Sequence, residues 1–149
     1  MKRLIILILM VYGTIVSNTL STPSVNNDDL YERYKTQLQS REWDLFLKAL
    51  ILVESEGNPN VVGKSNDVGI LQITPIYVKE VNRISNSNYT LEDRYSIKKS
   101  LEMFNIMQNH YNPNHDINRA IKLHNPKAGS WYKDKIMVKM DQLKSGYYV

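Results

Sequence analysis

The chain has 149 residues, a formal charge of +4 and no cysteine. That length suits one domain with a modest core. The absent thiols exclude disulfide frameworks, thiol catalysis, thiolate metal sites and a lipid-bearing cysteine. The basic residues are dispersed, which excludes the clustered stripe that nucleic acid requires.

Residues 1–21, MKRLIILILMVYGTIVSNTLS, start basic, run apolar from Leu4 to Val11 and end small and polar. This is the layout of a secretory signal peptide. Gly13, Thr14, Ser17 and Asn18 interrupt it too early for the ~20 apolar residues of a membrane span. Cleavage is expected after Ser17 or Ser21, with an uncleaved N-terminal anchor as the alternative. Export to a periplasmic or extracellular location follows. Lys2 and Arg3 carry two of the positive charges, which leaves +2 for the remainder. Residues 22–27 read as a linker and 28–149 as the functional domain.

From Asp28 the pattern is helical. NNDDLYERYKTQL offers Asn and Asp at a helix start. REWDLFLKALILVES is the strongest periodic segment, and Leu45 and Leu52 on its far side predict burial nearly all round. Gly57, Asn58 and Pro59 stop it. VVGKSNDVGILQI contains turn chemistry from Gly63 to Asp67, and its flanks can pair as a small hairpin. TPIYVKEVNRI resumes as a helix with Thr74 as cap and Pro75 in the first turn. SIKKSLEMFNIMQNHY places Ile97, Leu101, Phe104 and Met107 on one face. HDINRAIKLH is a short helix ended by Asn125-Pro126. SWYKDKIMVKMDQL is a last amphipathic one with Tyr132, Ile136, Met140 and Leu143 inward. The sum is a mainly α domain.

Several chemistries fail on spacing. VVGKS ends like a phosphate loop, but Asn58 stands where its first glycine belongs. His110, His115 and His124 lack zinc-site spacing, and no metal or cofactor is expected. There is no G-x-S-x-G elbow. Asp67 reads as a turn former, and Asn88-Tyr89-Thr90 matches only a short glycosylation pattern.

One ionisable group is out of place. At about 100° per residue, Glu54 falls roughly 20° from Trp43, inside the stripe of Phe46, Leu47, Leu50 and Ile51. Two readings follow from periodicity: a frayed last turn with a solvated carboxylate, or a carboxyl held against Leu47 and Leu50. In the second, desolvation raises the pKa above about 4.3 and leaves Glu54 protonated near neutrality. The helix C-terminus pushes the same way. Such a carboxyl is a general acid suited to a glycosidic oxygen.

Glu54 to Gln72 reads ESEGNPNVVGKSNDVGILQ, with Glu54-Ser55, Asn58-Pro59-Asn60-Val61, Lys64-Ser65 and Gly69-Ile70-Leu71-Gln72 as its pieces. In residue types and in its 19-residue span, it resembles the signature of the soluble lytic transglycosylase (SLT) domain, a lysozyme-like family. Weaker likeness runs through DRYSIKKSLEMF to NPKAGSWYKDKI, covering roughly residues 42–140.

The resemblance implies a lysozyme-like domain of five to seven helices around a buried central one. It also implies a peptidoglycan-cleaving enzyme. Glu54 would protonate the oxygen between N-acetylmuramic acid and N-acetylglucosamine. As a base it would then take the proton of the muramoyl 6-hydroxyl, closing a 1,6-anhydro ring. One carboxylate suffices for this, whereas ordinary glycosidases need two. Ser55, Gln72, Asn125 and Tyr132 would contact the sugars. Glycan strands are the expected partner, with a monomer that associates with a wall-spanning assembly and binds no nucleic acid. The alternatives are a hydrolytic muramidase and a weakly active wall-binding or scaffold module. Two departures stand out: LHNPKAG puts His124 where the family often has an aromatic, and Met103-Phe104 replaces a Tyr-Leu pair, losing a hydroxyl.

Overall fold

A computed structural model describes residues 27–146. The expected signal segment and all but the last residue of the expected linker lie outside the described residues; that residue, Asn27, starts the first helix. Five α-helices follow one another: α1 (Asn27–Ser55), α2 (Pro75–Ser85), α3 (Ile97–Tyr111), α4 (Ile117–His124) and α5 (Ser130–Lys144), with a 3-10 turn at Glu92–Tyr95 between α2 and α3. No sheet forms among them. The expected hairpin reduces to isolated bridges, Val62 with Val68 and Val68 with Ile73.

The caps follow local chemistry. Thr74 accepts the Tyr77 N–H at the start of α2, with Pro75 in the first turn. Ser96 and Asp116 cap α3 and α4 in the same way, each satisfying an N–H that has no partner inside its helix.

The helix α1 departs from expectation in two ways. Its two predicted segments form one continuous helix of 29 residues. It is also not buried all round: residues 31–42 are exposed, as are Asp44 and Lys48, while Leu45 and Leu52 are half-buried. Only its C-terminal half is central, where Trp43, Phe46, Ala49 and Leu50 enter the core. α5 packs along α1, and α2 lies against α3. Ile97, predicted inward on α3, is 50% exposed; the buried face runs through Ser100, Met103, Phe104 and Met107 instead.

The segment between α1 and α2 has little regular structure, so side chains must hold it. Arg94, from the 3-10 turn, is buried and donates to the carbonyls of Leu91 (2.7 Å), Asn66 (2.6 Å) and Ile73 (3.1 Å). Gly69 has a φ of +83° and approaches so closely that a Cβ there would lie 2.0 Å from the Arg94 carbonyl oxygen. Glycine is the residue that tolerates both demands. A buried guanidinium thus ties the loop to the 3-10 turn. Replacing Arg94 by Met strands these carbonyls, and urea unfolding is expected to show a loss of about 2–4 kcal/mol. A loss below about 0.5 kcal/mol, the size of a surface substitution, would contradict the assigned role.

Candidate active site

Positive φ at Glu56 (55°) and Gly57 (81°) ends α1, which leaves Glu54 in its last turn. The side chain is 14% exposed, so the solvated reading does not hold. Three helices converge on its Oε1. From α5, the Tyr132 hydroxyl donates a hydrogen bond to it. From the end of α4, the Nε2 of His124 lies 3.6 Å away, and that imidazole is 4% exposed.

Burial opposes ionisation of Glu54 and raises its pKa, as expected from the sequence. The contact and charge of His124, the Tyr132 hydrogen bond and the charge of Lys135 outweigh it, and the pKa lies below its ordinary value of 4.5. The expectation of a protonated Glu54 near neutrality is therefore corrected. In the free protein it is a carboxylate, because its wall contains donors that periodicity along α1 cannot reveal. Burial raises the pKa of Tyr132, and the neighbouring Glu54 adds to the effect, so the phenol stays a donor.

Two cavities meet at this carboxylate. One of about 970 Å³ is lined by Glu54, Ser55, Val61, Trp131, Lys135 and Val138, among others. The other, about 390 Å³, includes Glu54, Asp67, Gln72, His124 and Asn125. Glu54 is the residue common to both linings.

The other expected sugar-contact residues divide. Asn125 lines the smaller cavity, while its backbone N–H donates to Ile121. Gln72, at φ 44°, also lines it; its amide nitrogen is committed to the carbonyls of Val61 and Gly69, so it braces the loop as well. Ser55 is buried, with its hydroxyl donating to the Ile70 carbonyl (2.9 Å) and accepting from the Gly57 N–H (3.2 Å). These bonds clamp the loop to α1 and are not available to a sugar. Tyr132 is 4% exposed and faces Glu54, and its neighbour Trp131, 61% exposed, is the aromatic that lines the larger cavity. Asp67 accepts the Ser65 N–H at 2.9 Å, as a turn former does.

Sequence reasoning noted His124 as a departure from the family pattern without assigning it a role, and passed over Trp131. The signal for Trp131 was its place just off the inward stripe of α5. For His124 it was a basic residue ending a short helix beside the expected Asn125. Among the described residues no group of three or more His, Cys, Asp or Glu is placed to hold a metal ion.

The all-helical domain thus carries one carboxylate at the junction of two cavities, a concave site of the kind that takes a ligand. A family model, the transglycosylase SLT domain, matches residues 32–125. The chain belongs to that family, whose members are lytic transglycosylases acting on peptidoglycan. No curated protein and no solved structure matches. The match ends at Asn125, before α5, which supplies Tyr132 and Trp131.

The depressed carboxyl has a consequence for stability. Glu54 stabilises the fold fully above its ordinary value of 4.5, and the contribution is lost as pH falls through the lower folded value. Tyr132→Phe removes one of the groups responsible. Urea unfolding is expected to show a cost of about 1–3 kcal/mol near pH 6 and a smaller one near pH 3.5. An equal cost at both would show that the hydroxyl does not act through the charge of Glu54.

Proposed function

We propose that this protein is a peptidoglycan lytic transglycosylase that cleaves the β-1,4 bond from N-acetylmuramic acid to N-acetylglucosamine. Glu54 acts first as acid, protonating the departing oxygen, and the substrate's 2-acetamido group stabilises the cation left behind. Glu54 then acts as base on the muramoyl 6-hydroxyl, and the 1,6-anhydro ring closes. No proton is consumed over the cycle.

The observation that carries this reading is the position of Glu54, the one carboxylate shared by two contiguous cavities. A glycan threading both would pass its scissile bond over that group. Hydrolysis needs a second carboxylate: Asp67 of the smaller cavity is engaged by Ser65, which leaves Glu56 and Asp134 of the larger cavity as its candidates. Trp131 and Val138 give the larger cavity an apolar surface, against which the face of a sugar ring can lie. Asn125 and the carbonyl oxygen of Gln72 offer polar contacts in the smaller one. Working on the wall requires export, and the first 21 residues are proposed as the signal that provides it, with a periplasmic or extracellular destination and with or without cleavage.

The test is product analysis of purified peptidoglycan by mass spectrometry. Wild type is expected to release 1,6-anhydro-muramoyl ends, and Glu54→Gln to lose about 10²–10⁴-fold in rate. Reducing muramoyl ends would instead identify a hydrolytic muramidase. Equal clearing by both proteins would exclude a role for Glu54, and no clearing by the wild type would leave a wall-binding module.

A further inference from the structure

Building on the transglycosylase reading, the Glu54–His124 contact raises a question of proton supply. An acid must hold a proton when the glycosidic bond breaks, yet in the free protein Glu54 is a carboxylate. Tyr132 lies nearer, but burial and the neighbouring carboxylate hold its proton on the phenol, so the next group with a proton to lend is the imidazole of His124. Its Nε2 is 3.6 Å from Oε1, and its ring is set edge-on to Tyr77 and Phe104, with centroids 6.1 and 6.0 Å away. Its Nδ1 is buried without a hydrogen-bond partner. The Glu54 side is therefore where this imidazole meets a polar partner.

We propose that His124 is a positioning residue that stores the proton Glu54 delivers, the two side chains holding one proton between them. In the free protein the proton is on Nε2 and the pair is imidazolium and carboxylate. When a glycan fills the cavities, water leaves, and a separated charge pair loses its solvation. The proton then crosses: the Nε2–H bond breaks, its electron pair stays on nitrogen, and an O–H bond forms on Glu54. The pair is neutral overall before and after. Nδ1–H is unchanged, and because it lacks a partner it costs more on the imidazolium than on the neutral ring, which favours the crossing once water leaves. The crossing requires the 3.6 Å separation to shorten to hydrogen-bond length, about 2.7–3.2 Å.

The cycle closes on its own protons. Glu54 gives one to the leaving oxygen and recovers one from the 6-hydroxyl, and product release returns it to His124. The groups that face the pair modulate this balance: Tyr132 and Lys135 from α5 favour the carboxylate, Glu56, Asp134 and Lys139 line the larger cavity with it, and Asp67 and Lys127 share the smaller one. Tyr77, from α2, is buried and holds its proton, so it stays uncharged beside the imidazole.

The proposal makes two movements in opposite directions, which separates it from a packing role. Its variants are His124→Gln, which keeps a polar side chain that does not titrate, and His124→Phe, which fills the space between Tyr77 and Phe104. In the free protein, each should move the titration of the Glu54 carboxyl carbon, followed by ¹³C NMR, to higher pH. In turnover of soluble, uncross-linked peptidoglycan at saturation, each should move the basic limb of kcat to lower pH. The ratio of kcat near pH 8 to kcat at the acid optimum should fall at least about tenfold, a limb shift of about one unit. A limb that stays in place or moves up overturns the proposal, and so does a uniform loss of kcat at all pH values in both variants. Absence of glycan cleavage by the wild type at any pH defeats the functional reading instead; the Glu54 titration then still reports whether the pair exists.

Discussion

A carboxylate in an apolar wall survives only while its neighbours hold it, and the architecture of this domain converges on that demand. Glu54 is presented by the end of α1, gripped by Tyr132 from α5 and faced by His124 from the end of α4. Each helix contributes one group, so none of them can shift without disturbing the same oxygen. The irregular loop from Glu56 to Thr74 is clamped in turn by Ser55 at one end and Arg94 at the other. A buried hydroxyl and a buried guanidinium do for this loop what a ladder of strand hydrogen bonds would do in a sheet.

The placement of the site explains an economy in its chemistry. Two cavities share one carboxylate, and a reaction that returns its proton through an internal hydroxyl needs no second base. The same carboxyl must be deprotonated to act as base and protonated to act as acid. An environment that balances burial against nearby donors serves both states better than one that drives the group to either extreme. The strongest influence against burial is His124 at the end of α4, and α5, which lies beyond the segment matched by the family model, adds Tyr132 and Lys135.

What was legible in the sequence is what depends on one helix at a time. Glu54 falls on the Trp43 stripe by arithmetic, and its 14% exposure follows from that. Thr74, Ser96 and Asp116 cap their helices through local bonds. The spacing from Glu54 to Gln72 pointed to the family that the chain belongs to. What stayed hidden depends on which element stands opposite. The direction of the Glu54 shift was misjudged because the groups that lower it, His124 first and then Tyr132 and Lys135, come from other helices far along the chain. Tyr132 and Trp131 differ by one position on α5, and only packing against α1 decides which turns inward. Arg94 read as an ordinary charged turn residue, since nothing local marks the carbonyls of Asn66 and Ile73 as its partners. The far side of α1 looked buried because Leu45 and Leu52 are apolar, but both are only half-buried and Asp44 and Lys48 on the same segment are exposed.

The protonation state of Glu54, without and with substrate, is the measurement that bears most directly on this account. Infrared difference spectra of wild type against Glu54→Gln at neutral pH would read it from the carboxyl stretch, first in the free protein and then with a non-cleavable glycan bound. The account predicts an ionised carboxylate in the free protein that becomes a protonated carboxyl under the glycan. A carboxyl already protonated before the glycan binds, or a carboxylate that persists beneath it, would contradict it.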